Sequence, residues 1–401
     1  MGDPARTEPA LTVAREPHPF RQRALRVLTL ALALLLTVSG TAVLATAGHL
    51  LLPFQRLTTL EGRLASKAGF FEDEQVTRIL LEHGIRVRTV SSGSREVATG
   101  SLDGYDFVFP SGEPAGDLIS STRQKQHRYT NIYRPFDSPL VLATYREYAE
   151  TLRDAGAARP QTGSGTGEPL YYSLDMNRFL ALTEHNRRWN DLGIGRHGLS
   201  NGNVVLAQTS DICESNSAGT YLGLVAFTRN GNDVPTDLRR ADEIAAKVKP
   251  LLIRQGSPGA DLFKYYASPN DHRLDPVVVV YEHQFLAYQA GYRTRHRTVD
   301  TERVLLYPTT RMLTQPQFIA LDRRADRLGE LLEHNPELQR RATELGYHVL
   351  GADALTGRLR QQGVPAPPAA GGDETAARMP ELEILERMIA AVKNCPAPAT
   401  N

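Results

Sequence analysis

The stretch "TSDICESNSAGTYLGL", Thr209 to Leu224, follows the apolar run "NVVLAQ" (Asn203 to Gln208) and decides how the chain is read. The apolar run predicts a buried strand. Ser210, Asp211, Glu214, Ser215, Asn216 and Ser217 then come almost consecutively, and an apolar helix starts at Ala218 and Gly219. Hydroxyl and amide side chains at a helix start either cap that helix or, with its free N–H groups, hold something polar. A cap needs only one of them, so the cluster points to a polar ligand, with a cap and a solvated loop as the plain alternative.

The same chemistry recurs upstream. "RVRTV" (Arg86 to Val90) alternates like a strand and passes through Ser91-Ser92-Gly93-Ser94 into a helix start; "YDFVFP" (Tyr105 to Pro110) does so through Ser111-Gly112. Repetition of strand, small polar turn and helix predicts a parallel α/β sheet, because parallel strands need crossover connections, with ligands held where strand ends meet helix starts. "EDEQVTRILLEHGI" (Glu72 to Ile85) has helical spacing, and "LEGRLASKAGFF" (Leu60 to Phe71) reads as an irregular strand. "PLVLATY" (Pro139 to Tyr145) and "PVVVVYE" (Pro276 to Glu282) are apolar strands that bracket the middle of the chain. Further strands are expected at Arg303 to Pro308 and Gln317 to Leu321, and helices at Met176 to Leu192, Asp237 to Arg254 and Arg323 to Leu345. Gly363 to Thr375 is a Pro/Gly/Ala linker, followed by a helix within residues 376–395.

Val27 to Ala47 carries no charge and, at about 1.5 Å per residue, is long enough to cross a bilayer core as a helix. Arg6, Arg15, Arg21, Arg23 and Arg26 precede it, so residues 1–26 are expected to be a cytoplasmic tail and the bulk of the chain to face outward. A cleaved signal peptide ending at Ala45-Thr46-Ala47 is the alternative. The only cysteines are Cys213 and Cys395. In an oxidising exterior they are expected to pair, the alternative being two unrelated thiols.

Taken in order, "ASKAGFFEDEQV", "VSSGSREVAT", "YDFVFPSGEPAG", "TSDICESNSAGTYLGL", "PVVVVYEHQFL", "VLLYPTTRMLTQPQFIAL" and "LQRRATELGYHV" resemble the extracellular solute-binding proteins of the type 2 periplasmic-binding-protein fold, in particular membrane-anchored actinobacterial members. The resemblance runs from Leu60 to Val349. It implies a two-lobed α/β fold preceded by one transmembrane helix, with lobe 1 at residues 57–140 and 284–350, lobe 2 at 141–283, and a small polar ligand held between them. Carried onto this sequence, it implies a site of Ser92, Gly93, Ser94, Arg95, Ser111 and Gly112 from the first lobe and Ser215, Asn216 and Ser217 from the second, with Glu282 near the hinge. Two departures stand out: Asp211 and Glu214 beside the second-lobe motif would repel a small oxyanion unless they point outward, and the extension after Leu350 lacks a counterpart. Glu282, following four valines, needs a partner, either a structural Arg or Lys or a cationic ligand.

The 46 basic and 45 acidic side chains nearly cancel, which gives no reason to expect a nucleic-acid partner. No cofactor, metal or catalytic constellation is indicated: the histidines lack ligand spacing, and Ser94 and Ser217 have no recognisable base. The expected function is therefore a membrane-anchored, outward-facing solute-binding protein working with a transporter permease or a sensor. A ligand-free assembly protein holding a membrane partner is the alternative.

Overall fold

The computed structural model describes residues 57–161, 167–253, 262–269, 272–349, 354–367 and 375–395. The apolar segment at residues 27–47 and the tail before it lie outside these. Among the described residues, no helix is long and apolar enough to cross a membrane.

Strand β1 (Thr58–Leu64) buries Leu60, Gly62 and Leu64 on one face. It ends sooner than the sequence suggested: Ala68–Phe71 wind into a single helical turn, α1, that drives Phe70 and Phe71 into the core. Helix α2 (Glu74–Glu82) starts where Asp73 accepts hydrogen bonds from the Gln75 and Val76 amides. Next come β2 (Ile85–Ser91), α3 (Ser94–Thr99), β3 (Phe107–Phe109), α4 (Glu113–Lys125) and β4 (Asn131–Tyr133). The first sheet has the order β2-β1-β3-β11-β4, where β11 is Phe318–Ala320. The pairs β1–β2 and β1–β3 are parallel, as strand–turn–helix repetition requires. Alternation sorts its side chains: Phe107, Phe109 and Phe318 face a core with Phe70, Phe71 and Phe136, whereas Val108 and Ile319 face Val97, Ala115 and Ile119 on the other side.

The chain then crosses into a second sheet through β5 (Ser138–Tyr145), which is buried along its whole length. There follow α5 (Arg146–Asp154), β6 (Ala158–Pro160), β7 (Tyr171–Leu174), α6 (Met176–Glu184), α7 (Asn216–Arg229), α8 (Leu238–Ile253), α9 (Leu262–Ala267), β8 (Val277–Tyr281), α10 (Glu282–His296), β9 (Arg303–Pro308) and β10 (Thr310–Thr314). The order is β12-β10-β5-β9-β7-β6, with β8 also on β5 and β12 formed by Thr375–Ala376. Helix α7 is buried on nearly every side, so it is a core helix rather than an amphipathic surface one.

Several sequence expectations change here. The second lobe does not end at 283: the apolar β9 run pairs with both β5 and β7, which places it and α10 in the second lobe, and the chain returns only between Thr314 and Phe318. Residues Asn203 to Gln208 are extended and mostly buried but make isolated bridges only, because the open edge of β8 accepts them just at Gln208. The helix expected over Arg323 to Leu345 is split into α11 (Asp326–His334) and α12 (Pro336–Glu344); Pro336 opens the second and Asn335 caps it. Of the linker at 363–375, Val364 and Ala366 are buried in the second core, and Thr375 donates to the Thr309 carbonyl. Helices α13 (Ala354–Gln361) and α14 (Leu382–Val392) are the last helices among the described residues.

Candidate functional site

The two sheets meet around a cleft of about 610 Å³. Its first-lobe wall comes from the turns after β1, β2 and β3, its second-lobe wall from the turn before α7 and the end of β8. Eight serines line it: Ser66, Ser91, Ser92, Ser94, Ser111, Ser210, Ser215 and Ser217. Six of the ten residues singled out in the sequence are in this wall, namely Ser92, Gly93, Ser94, Ser111, Ser215 and Ser217. Ser94 and Ser111 are bonded to each other, Ser94 Oγ donating to Ser111 Oγ and the Ser111 amide donating to Ser94 Oγ, both at 2.9 Å. Ser66 joins them: its Oγ donates to Ser111 Oγ at 2.7 Å and its amide at 3.2 Å. Ser92 accepts from Arg63 Nε at 3.0 Å, and the same guanidinium pairs with Glu96. Ser215 and Ser217 share a hydrogen bond of 2.8 Å.

The other four have different work. Arg95 is 3 % exposed and forms a bidentate pair with Glu386 of α14, both contacts at 2.7 Å. Asn216 reaches across the cleft: its Oδ1 accepts from the Ala115 amide at 3.0 Å, so a second-lobe side chain caps the first-lobe helix α4, and its Nδ2 donates to Tyr281 and Thr220. Gly112 makes that possible, since a Cβ there would lie 2.3 Å from Asn216 Nδ2. Glu282 is buried in the hinge, accepting from Tyr307 at 2.7 Å and pairing with His348 at 2.5 Å. Its partners are therefore side chains of this protein, a tyrosine and a histidine rather than the expected Arg or Lys. Burial alone would push the His348 imidazole down, but the hydrogen bond and charge of Glu282, with Asp137, outweigh it and hold His348 above its ordinary value. His348 and Asp137 also exchange backbone hydrogen bonds, tying the returning chain to the first crossing. Of the two acids that departed from the family pattern, Asp211 turns away to pair with Lys393, and Glu214 lines the cleft from an exposed position.

No protein-family pattern and no curated protein sequence matches the chain. Solved structures do. A periplasmic thiamin-binding protein superposes with a TM-score of 0.52 at 11% identity, over 84% of this chain and 96% of the other. The periplasmic binding protein AfuA from Actinobacillus pleuropneumoniae gives 0.49 at 10% identity over 83% and 97%, and a sulfate-binding protein from Mycobacterium tuberculosis 0.42 at 14% over 78% and 93%. The chain has the type 2 periplasmic-binding-protein fold. The cleft lies between the two lobes of that fold, and the turns that line it follow its strands, where open α/β sheets place ligands.

Sequence reading missed part of the site. Ser66 and Lys67 sit in "ASKAGFF", part of the stretch that reads as an irregular strand; the α1 turn that follows puts Ser66 in the cleft wall and Lys67 behind it. Lys67 is fully buried just behind the wall: its Nζ donates to Ser66 Oγ at 3.1 Å and lies 5.0 and 5.5 Å from the ring centres of Tyr281 and Tyr347. Burial pulls its amine from 10.5 down to about 7. Burial, then the charges of Lys67 and His348, hold the neighbouring His283 well below its ordinary value. Among the described residues, no group of His, Cys, Asp or Glu is placed to hold a metal ion. Cys213 and Cys395 form a disulfide with Cα atoms 5.2 Å apart.

Proposed function

We propose that this chain is an extracytoplasmic solute-binding protein, anchored by its N-terminal apolar segment, that holds a small polar ligand between its lobes for a transporter or a sensor. One observation carries the reading: an interlobe cleft of about 610 Å³ walled by serine hydroxyls from both lobes. That volume suits a small ligand, and convergent hydroxyls orient polar groups at little desolvation cost. No enzymatic step is part of this reading. Ser94 and Ser217 bond to other serines, not to a base, and Lys67 donates to Ser66 while Ser66 donates onward to Ser111.

The test is a thermal-shift screen of the full chain against sugars, amino acids, inorganic oxyanions and quaternary amines. A ligand that binds the folded state raises the melting temperature. The combined substitution Ser215→Ala and Ser217→Ala is expected to weaken that shift. A melting temperature unmoved by every class would count against the reading.

A second reading has its own support. The lobes are already joined by the Asn216–Ala115 hydrogen bond and bridged by α14, features that suit a protein holding a membrane partner without a small ligand. A partner co-purifying from membranes and surviving the double serine substitution would favour it.

A further inference from the structure

We infer that the cleft receives an anionic group on the Ser66, Ser94 and Ser111 hydroxyls, and that Lys67 behind them is its counter-charge, so that binding takes up a proton. The inference rests on the reading of the cleft as a ligand site and adds the ligand's charge and its linkage to pH. Lys67 is walled in by two tyrosine rings, has one serine as hydrogen-bond partner, and has no carboxylate paired with it among the described residues. An ammonium in such a place is costly without a counter-ion, so the amine loses its proton readily. Burial alone sets its value near 7.

The floor is also short of an acceptor. The Ser66, Ser94 and Ser111 hydroxyls carry three protons but share only two Oγ–Oγ contacts, and Ser111 Oγ also takes the Ser66 amide, which leaves one hydroxyl proton of the cluster without an acceptor among the described residues, although Ser94 and Ser111 are 3 % and 5 % exposed. A carboxylate or phosphate oxygen would accept that proton, and the Ser66 hydroxyl links the cluster to Nζ.

The other charged groups around Lys67 leave this role open. Glu282, at the start of α10, is spent on Tyr307 and His348; His283 is held neutral and bonds to Ser138. Glu72, Glu96 and Glu214 are exposed at the rim, and Glu96 is tied to Arg63. Rim carboxylates around a basic floor orient the ligand: one anionic head goes inward, and a cationic or hydroxyl-bearing end faces outward.

The sign of the pH effect follows. Below about pH 7 the amine is already protonated; above it each pH unit weakens binding about tenfold until the bound-state value is reached. Full-chain protein is titrated calorimetrically with inorganic phosphate, acetate, L-glutamate and glycine betaine, and with glucose and choline, at about pH 6 and about pH 8.5. At least one anion-bearing probe is expected to bind tenfold or more tightly at the lower pH and, in buffers of different ionisation enthalpy, to take up about one proton at the higher pH. Lys67→Met is expected to remove the pH dependence, and Ser66→Ala to weaken binding while keeping it. Binding of an anion without proton uptake in the wild type overturns the inference even if Lys67→Met does not fold. So does an unchanged pH dependence in a folded Lys67→Met variant. Binding of glucose or choline alone overturns the inference and leaves the cleft reading standing. If none of the six probes binds at either pH, both fail.

Discussion

A buried lysine is a stability statement before it is a functional one. In the unfolded chain the Lys67 amine keeps its ordinary 10.5, and in the folded chain it sits near 7, so between those values the unfolded state holds more protons and stability rises with pH. Below about pH 7 the full penalty is present, a few kcal/mol at about 1.4 kcal/mol per pH unit. Lys67→Met keeps much of the apolar stem and removes the charge. It is expected to melt higher than wild type at about pH 6, with the advantage fading toward pH 10; an advantage independent of pH would mean that the amine stays charged in the fold. Comparing the two proteins at each pH cancels the opposing His348–Glu282 pair, which stabilises at low pH and is lost as pH rises through the raised imidazole value. Nothing in the sequence marked Lys67 out. A lysine between a serine and an alanine reads as solvated until two tyrosines, over two hundred residues away in the chain, close around it.

At the scale of elements, α14 explains why the C-terminal extension follows the second lobe. Ile384, Leu385, Met388, Ile389 and Val392 pack into the second core, while Leu382 rests on the first lobe's smaller core and Glu386 reaches Arg95 on α3. Its end is pinned by the disulfide, which closes a loop of 182 residues. The periodicity of this helix, the cysteine pairing and the strand–turn–helix repeats were legible, because each is local or arises by elimination between two thiols. The Arg95–Glu386 pair was not: its members stand 291 residues apart, and a lone arginine after a turn carries no sign of its partner. Gln208's bridges to β8 and the break at Pro336 also depend on what the folded chain places alongside. Two measurements follow. Cys213→Ser with Cys395→Ser is expected to lower stability by roughly 2–5 kcal/mol in denaturant unfolding, since a long closed loop is set free in the unfolded state. Glu386→Gln is expected to cost clearly more than Arg387→Gln: the first strands a nearly buried guanidinium, whereas the second removes a surface pair with Asp242. Equal losses would show that Arg95 finds water or another acceptor.

Across the whole molecule, the two lobes are held shut at two points beside the cleft. At one, the Arg95 amide donates to the Glu214 carbonyl at 2.9 Å, and a Cβ on Gly93 would lie 2.4 Å from that same oxygen. At the other, Asn216 caps α4 over Gly112. Gly93 is the sharper probe of closure because its backbone, at φ −62° and ψ 143°, is one that alanine adopts freely. Gly93→Ala therefore adds no local strain, and the obstacle it meets is the backbone of the opposite lobe, which no side-chain rotation relieves. Its effect belongs to the lobe–lobe distance. The variant is expected to keep both sheets, to exchange the Arg95 amide faster with solvent, and to show a larger radius of gyration in solution scattering. The increase should stay small while α14 straps the lobes together through Glu386, and should grow when Glu386→Gln is added. An unchanged radius with an unchanged Arg95 exchange rate would mean that the turn at Gly93 yields locally and that lobe closure does not depend on it.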